Sequence, residues 1–271
     1  MTKFKANGVK AEEAKRKYMA ENGLYSEAEE HASCGVGLVV SIDGSPSRKV
    51  VQAGIDALKA VWHRGAVDAD GKTGDGAGIH VQIPVPFFYD QIERTGHTPR
   101  MDELMAVGQV FLPRTDFGAQ ETCRTIVETE VLRMGYYIYG WRHVPVNVSC
   151  LGEKANATRP EIEQLLVSNS KGVDEETFER ELYVIRRRIE KAAQSAGIHG
   201  LYLASLSCRS IIYKGMFLAE DMSEFYPDLK DERFESAFAL YHQRYSTNTF
   251  PQWWLAQPFR MLAHNGEINT L

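Results

Sequence analysis

The amino-acid sequence predicts an α+β fold in which sheets and helices form separate layers. Short runs rich in valine, isoleucine and aromatic residues recur along the chain, as is typical of strands. Apolar residues at helical spacing are confined to a few longer segments. The strand-like runs are too clustered for a regular β-α-β series, so layered sheets and helices are favoured over a parallel doubly wound sheet.

The composition is that of a soluble globular protein long enough to bury a sizeable core, with 44% hydrophobic and 25% charged residues among 271. A net charge of −5 does not indicate the basic surface that nucleic-acid binding requires. No apolar run approaches the roughly 18 residues of a membrane span. The charged, glutamate-rich N-terminal stretch matches neither a secretory signal nor a transit peptide. We therefore expect a cytoplasmic protein without nucleic-acid or membrane partners.

The first 33 residues are predicted to form a leader distinct from the rest, with a helix at Lys10–Glu21 that ends at Gly23. A strand follows at Val36–Ile42, and apolar residues at helical spacing then predict a helix that Gly65 closes. The remaining elements are predicted in this order: strands at 79–83 and 107–112, a helix at 121–134, a strand at 136–141, helices at 159–167 and 175–196, and strands at 201–213, 238–247 and 260–263.

Cys34 heads a strand of small residues, Cys34-Gly35-Val36-Gly37, and is a candidate nucleophile. The competing interpretation is a small buried hydrophobic residue, because cysteine is among the most buried residue types. The sequence assigns no His-Asp partner that would activate the thiol. If the chain is cut between Ser33 and Cys34, the new α-amino group has an ordinary pKa of about 7.7–8.0 and can accept the thiol proton. Residues 1–33 would then be a propeptide.

Asn265-Gly266, near the other end, is a candidate oxyanion hole, because the Asn265 side-chain amide and the Gly266 N–H are both donors. The same pair is a strong hairpin-turn signal, and the two interpretations are compatible. Arg244, beside an apolar strand, and Arg64, at a helix end, are candidate carboxylate ligands, because a guanidinium binds a carboxylate with two parallel hydrogen bonds. Surface salt bridges, and a helix-capping role for Arg64, remain alternatives.

The glycine-rich loop at residues 66–78 contains Gly71-Lys72-Thr73, which matches the end of a phosphate-binding P-loop motif. Ala66 stands where the first glycine of that motif belongs, and a helix rather than a strand precedes it. We therefore expect a tightly turned loop near the active site and not a nucleotide site. No Cys-x-x-Cys pair occurs, so no metal site is predicted and free thiols are expected at Cys34, Cys123, Cys150 and Cys208.

Taken together, five blocks of the sequence resemble the class II glutamine amidotransferase domain of glutamate synthase large subunits. The blocks are Cys34-Gly35-Val36-Gly37, Trp62-His63-Arg64-Gly65, residues 70–78, residues 243–249 and residues 264–269. The resemblance runs from about Cys34 to Leu271. It implies a four-layer αββα sandwich of the N-terminal-nucleophile hydrolases, with a propeptide at 1–33 and a C-terminally incomplete domain at 34–271. By motif match it implies Cys34 as nucleophile, Asn265 and Gly266 as oxyanion hole, Arg244 as ligand of the glutamine α-carboxylate, and Thr247 and Arg64 in the glutamine pocket.

The reaction implied by the resemblance is hydrolysis of L-glutamine to glutamate and ammonia through a thioester on Cys34. In the complete enzyme the ammonia goes to 2-oxoglutarate. No cofactor is implied for this chain, whereas FMN and a 3Fe–4S cluster are implied for the full-length enzyme. The implied partners are downstream synthase domains and either a small NADPH-oxidising subunit or ferredoxin. Because the family's aspartate for the glutamine α-amino group would lie beyond Leu271, we expect weak or no glutaminase activity from this fragment alone.

Three alternatives remain at this point: another class II amidotransferase, an N-terminal-nucleophile amidase without a synthase partner, and a catalytically silent regulatory domain that keeps the fold. The leader before Cys34 disfavours the first alternative, because many such enzymes carry the cysteine directly after the initiator methionine. NADPH, NADH and ferredoxin all stay open as electron donors.

Overall fold

The computed structural model describes residues 14–23, 26, 35–243 and 250–260. The chain divides into two compact units, Met1–Cys34 and Gly35–Leu271. In the first unit, residues 14–22 form helix α1. The Asn22 side-chain amide donates to the Tyr18 carbonyl oxygen at 3.0 Å near its end. Helix α1 overlaps the helix predicted at Lys10–Glu21, of which the part before residue 14 lies outside the described residues.

Within its described residues, the second unit contains two four-stranded sheets in which all neighbouring strands are antiparallel. Sheet 1 has the order β1-β8-β2-β7, and its strands are β1 (Val36–Val40), β8 (Phe238–Gln243), β2 (Ala77–Gln82) and β7 (Ser210–Gly215). Sheet 2 has the order β4-β5-β3-β6, and its strands are β4 (Tyr137–His143), β5 (Glu161–Ser168), β3 (Met105–Leu112) and β6 (Tyr202–Ser207).

The helices of this unit lie between the strands in the chain. They are α2 (Arg48–Ala60), α3 (Val85–Arg94), α4 (Phe117–Arg133), α5 (Glu153–Ala157), α6 (Glu175–Ser195) and α7 (Met222–Phe225), with 3₁₀ turns at Trp62–Arg64, Val148–Cys150, Ala219–Asp221 and Pro227–Lys230. Antiparallel sheets with helices packed on them confirm the predicted α+β class. Among the described residues, no helix is both long and apolar enough to cross a membrane.

Sheet 2 and its two long helices form a β3-α4-β4-β5-α6-β6 unit, the split β-α-β arrangement. Both helices begin at a capping aspartate: Asp116 accepts from the Ala119 N–H and Asp174 from the Thr177 N–H, each at 2.9 Å. The helices share one apolar cluster with one face of the sheet, and its members are Cys123, Val127, Val131, Phe178, Leu182, Ile185, Ile189, Val110, Leu165, Val167 and Leu206 among others.

The opposite face of sheet 2 belongs to a second cluster, which also contains residues of sheet 1 and helices α2 and α3. Polar side chains join the two sheets inside it. The Tyr213 hydroxyl on β7 donates to Asp228 at 2.9 Å and accepts from the Gln164 amide on β5 at 2.8 Å. Arg142 on β4 donates to both oxygens of Asp228, each at 2.7 Å. This buried network fixes the split β-α-β unit to sheet 1, which contains the first and last strands of the described residues.

Three sequence predictions need correction. Residues 159–167 were expected to be a helix, but Glu161–Ser168 is strand β5, flanked by β4 and β3. The run expected as one strand at 201–213 is two strands, β6 and β7, which belong to different sheets. Helix α3 was not predicted at all. The strand predicted at 260–263 lies outside the described residues except for Arg260, which is in a turn.

Candidate active site

The pairing of β1 with β8 fixes the position of the first sequence motif. Val36 lies opposite His242, and one residue further the Gln243 N–H donates to the Gly35 carbonyl oxygen at 2.6 Å. A Cβ at Gly35 would collide with the Gln243 carbonyl oxygen. A Cβ at Gly37 would collide with the ring of Tyr241, its partner across the strands. The glycines of the motif are therefore required for close contact with β8.

Gln243 also joins a second motif to this strand pair. A Cβ at Gly65, at the end of the Trp62–Arg64 turn, would collide with Nε2 of Gln243. The Gln243 side chain is only 2% exposed, and its Oε1 has no hydrogen-bond partner among the described residues. Buried polar atoms are normally hydrogen-bonded. Oε1 is therefore a buried acceptor whose hydrogen bond the described residues do not supply.

Gln243 was not predicted as a site residue. The sequence marks it only as the residue before Arg244, and nothing in its residue type indicates burial against Gly65. The signal that points to it is structural: a buried amide at the meeting point of two motifs that are far apart in the chain.

The predicted site residues are placed as follows. The backbone of Arg64 ends a 3₁₀ turn, in which the Gly65 N–H donates to the Trp62 carbonyl oxygen at 3.0 Å. The other five lie outside the described residues: Cys34, Arg244, Thr247, Asn265 and Gly266. The structure brings together three residues that are each next to a predicted site residue in the chain. They are Gly35, Gly65 and Gln243.

The glycine-rich loop folds back on itself beside this point. Ala66 and Asp75 close it, since the Asp75 N–H donates to the Ala66 carbonyl oxygen at 3.1 Å and the Ala66 N–H donates to Asp75 Oδ1 at 3.0 Å. An isolated bridge between Val67 and Gly74 continues the pairing. Because Ala66 directly follows Gly65, the closed loop begins at the contact with Gln243.

The tip of this loop does not fit a bound phosphate. Asp70 Oδ1 accepts from the Lys72 and Thr73 N–H groups at 3.0 and 2.7 Å, and Oδ2 accepts from the Thr73 hydroxyl at 2.6 Å. These bonds, with the Thr73 hydroxyl contributing most, lower the pKa of the Asp70 carboxyl. The carboxylate thus occupies the amides that a P-loop offers to phosphate, in agreement with the tight turn predicted from the sequence.

Residues 250–260, which separate the two C-terminal motifs in the chain, are held by buried contacts. The Trp253 side chain is 1% exposed, and its Nε1–H donates to the Ala155 carbonyl oxygen at 3.0 Å. Its ring packs against Phe225 with centroids 5.6 Å apart. A Cβ at Gly78 on β2 would lie 2.5 Å from the carbonyl oxygen of Gln257. The segment that separates residues 244–249 from residues 261–271 is therefore fixed to sheet 1 and to α5.

One group of possible metal ligands among the described residues is already committed to another contact. Ligand atoms of His143, Glu161 and Glu163 lie within 4.8 Å of one another. However, Arg124 donates to both carboxylate oxygens of the buried Glu163, so its guanidinium takes the place of a cation.

The described cysteines do not form a cluster site either. Burial raises the pKa of Cys123 and of Cys150 to about 11 in each case, and it also raises the pKa of Cys208, which donates to Glu179. A metal or iron–sulfur ligand must be a thiolate. These thiols, on α4, in the turn before α5 and after β6, fit packing rather than ligation.

Comparison with known proteins defines the class of protein. The family model for class-II glutamine amidotransferases matches residues 34–271, so the chain belongs to that family. The match begins at Cys34 and includes the segments that meet at Gln243.

The relatives identified are glutamate synthases. The chain is 68% identical over 247 residues to the NADPH glutamate synthase large chain of Azospirillum brasilense, covering 91% of this chain and 16% of that protein. It is 44% identical over 243 residues to the chloroplastic ferredoxin-dependent glutamate synthase of Oryza sativa subsp. japonica (89% and 15%). It is 42% identical over 254 residues to the NADPH glutamate synthase large chain of Bacillus subtilis (92% and 16%). The chain thus spans less than a fifth of the length of these relatives.

Proposed function

We propose that this chain is the glutaminase part of a glutamate synthase, which hydrolyses L-glutamine to glutamate and ammonia. The observation that carries the proposal is the meeting of Gly35 and Gly65 at Gln243. Their chain neighbours are Cys34, Arg64 and Arg244, and consecutive Cα atoms are only about 3.8 Å apart. In the sequence, the proposed nucleophile and the two proposed carboxylate ligands are therefore each one residue away from a member of this contact.

We propose for this domain the four-layer αββα sandwich of the N-terminal-nucleophile hydrolases, with residues 1–33 as a propeptide. The division of the chain between Cys34 and Gly35 supports a separate leader. Val36, Leu38 and Val40 on β1 are 45%, 59% and 57% exposed, although all are apolar. Contiguous exposed apolar surface marks a face that another layer covers, which supports a sandwich built on sheet 1.

In the proposed first step the α-amino group of processed Cys34 takes the thiol proton, and the sulfur bonds to the side-chain amide carbon of glutamine. The carbonyl oxygen gains negative charge, which the Asn265 side-chain amide and the Gly266 N–H stabilise. One such donor is worth about 10²–10³ in turnover. The carbon–nitrogen bond then breaks, and the α-ammonium group returns its proton so that ammonia leaves. Arg244 holds the α-carboxylate, and Arg64 and Thr247 line the pocket.

In the second step water hydrolyses the thioester. The α-amino group takes a proton from the water, the oxygen bonds to the thioester carbon, and the sulfur leaves as thiolate and is reprotonated. Glutamate is the product. In both steps the thiol, the amine and water are the only groups besides the substrate that exchange protons or form covalent bonds.

The rest of the proposed reaction lies in the complete enzyme, where ammonia reaches 2-oxoglutarate in downstream synthase domains. FMN and a 3Fe–4S cluster belong to those domains in this proposal, and the described cysteines of this chain do not fit a cluster. The names of the relatives support either NADPH or ferredoxin as the source of electrons.

Replacing Arg244 by glutamine tests substrate binding. Truncating one partner of a buried, hydrogen-bonded charge pair costs about 2–5 kcal/mol, so Arg244→Gln should raise KM for glutamine by about 10²-fold. The measurement is glutamine hydrolysis by processed protein expressed from the complete gene. Arg209→Gln is the matched control, because Arg209 is an exposed partner of Glu175 in the turn between β6 and β7. A KM equal to that of the control would refute the role given to Arg244.

A methyl group at Gly65 tests the contact with Gln243. Gly65→Ala places a Cβ against the buried Gln243 amide and should shift the neighbouring Arg64. A misplacement of about 1 Å can cost 10²-fold in rate, so kcat/KM should fall by about that factor. Gly118→Ala is the control, because its Cβ would meet only Asp116 Oδ1 at 3.5 Å. Equal kcat/KM values for the two variants would refute the role given to the contact between Gly65 and Gln243.

A further inference from the structure

A cleft of about 190 Å³ opens at one end of sheet 2, where β3 ends and β6 begins. Its walls come from residues 111–115 and 157–160, from Gly200 and Tyr202, and from the tryptophan pair Trp253-Trp254. A cleft of this volume can hold a small organic molecule and is not limited to single waters. None of its residues belongs to the blocks that define the glutamine site.

Two arginines in the wall carry positive charge without a carboxylate partner. Arg114 donates from Nε and Nη2 to the carbonyl oxygens of Arg159 and Asn156 at 3.0 and 3.1 Å. Arg159 donates from Nε to Asn156 Oδ1 at 3.5 Å and from Nη1 to the Pro160 carbonyl oxygen at 3.4 Å. Within the described part of the chain, neither guanidinium forms an ion pair with an acidic side chain. Burial, followed by the neighbouring charge of Arg114, lowers the pKa of Arg159.

A buried lysine, Lys214, lies beneath the cleft, and burial lowers the pKa of its amine well below the usual value. Lys214 is fully buried, and its Nζ donates to the Tyr202 hydroxyl oxygen and to the Trp254 carbonyl oxygen, each at 2.9 Å. The Tyr202 oxygen accepts this bond, so its own proton remains to be donated to another acceptor. Burial raises the pKa of Tyr202 to about 12, so the hydroxyl keeps that proton near neutral pH. Tyr202 lines the cleft and adds a neutral donor to the two guanidinium groups.

We infer that this cleft binds a small oxyanion, a carboxylate or a phosphate, whose apolar part lies against Trp253 and Trp254. Guanidinium groups pair with both kinds of oxyanion through parallel charge-assisted hydrogen bonds. The Nη1 of Arg114 and the Nη2 of Arg159 are the donors that the described contacts leave available. Tryptophan and tyrosine side chains supply the apolar wall, as in most small-molecule sites. This site is independent of the glutaminase proposal.

Tryptophan fluorescence of the 271-residue chain tests the site, because Trp254 is 45% exposed in its wall. The probes are sodium glutarate and sodium phosphate, with sodium chloride at equal ionic strength and neutral glutaramide as controls. We expect a saturable change with an oxyanion, and none with chloride or glutaramide. Losing one charge-assisted contact should weaken binding about tenfold in Arg159→Gln. Arg94→Gln, an exposed arginine on α3, should bind like the unaltered chain.

Each outcome decides the inference. Saturation by glutarate assigns the site to organic carboxylates, and saturation by phosphate alone assigns it to phosphate. No saturation by either, or an unaltered response in Arg159→Gln, overturns the inference. Binding of an aspartate tripeptide without binding of either small anion also overturns it, in favour of a protein-docking surface. If Arg159→Gln melts at a lower temperature, Arg114→Lys serves instead, because it keeps the charge and removes the fork of parallel donors.

Discussion

Replacement of Cys34 by alanine is expected to abolish glutamine hydrolysis, with kcat lowered by at least about 10⁴-fold. Where a nucleophile acts together with its base, removal of the nucleophile alone costs up to about 10⁶ in kcat. Here the amine and the thiol belong to one residue, so no other group of the proposed mechanism can replace the sulfur. The measurement is glutamate release by the protein expressed from its complete gene.

The same replacement can also block removal of residues 1–33. The variant is therefore also produced behind a cleavable leader that leaves residue 34 at the N-terminus. Cys150→Ser is the matched control, because Cys150 Sγ donates to the Asn147 carbonyl oxygen at 3.0 Å and a hydroxyl can make the same bond. The control should keep its activity. A processed Cys34→Ala protein with more than about one hundredth of normal activity would contradict the covalent mechanism, given the cost quoted above.

Asp228→Ala is expected to lower the free energy of unfolding by about 3–5 kcal/mol, the usual cost of breaking a buried ion pair from one side. The side chains of Arg142 and Asp228 are only 10% and 4% exposed. Burial, the largest single cause, lowers the pKa of Arg142, but the hydrogen bonds and charge of Asp228 together with Tyr213 outweigh it, so the pKa is raised. Without Asp228, the guanidinium stays buried and uncompensated, and Tyr213 loses its acceptor. Urea unfolding measures the effect as a lower midpoint with an unchanged slope.

Two further variants make this test specific. Lys230 lies in the same short turn as Asp228 and pairs with Glu224 on α7, and both side chains are about half exposed. Lys230→Ala should therefore cost no more than about 1 kcal/mol. Arg142→Met combined with Asp228→Leu removes both charges and should recover most of the loss, because apolar replacements of a buried pair are often neutral. Equal midpoints for Asp228→Ala and Lys230→Ala would show that the pair does not hold the sheets together.

Strand β5 shows why periodicity misassigned part of the fold. Ile162, Leu165 and Leu166 recur at spacings of three and four, as on a helix face. In the structure β5 lies between β4 and β3 and is buried on both faces, so apolar residues need not alternate. The charge of Glu163 further obscures the strand, and its burial depends on Arg124, which is distant in the chain. Such a tertiary ion pair has no local sequence signal.

In the candidate site, too, residues with a local sequence signal could be predicted, and residues whose role depends on tertiary contacts could not. The motif glycines could be identified from the sequence because each lies in a short block with recognisable chemistry. The role of Gln243 could not, since its burial arises from strand pairing with Gly35 and from contact with Gly65, well over a hundred residues away. The split β-α-β unit was also missed, because its sheet order depends on pairings between strands far apart in the chain.

The N-terminal sequence of the active protein, expressed from its complete gene and purified by its glutaminase activity, tests the central claim most directly. The proposed mechanism requires a free α-amino group on Cys34, so the chain should begin at Cys34, with an intact mass that lacks residues 1–33. An active protein that still carries residues 1–33 would contradict the account, because the amine that serves as the base would then be part of a peptide bond.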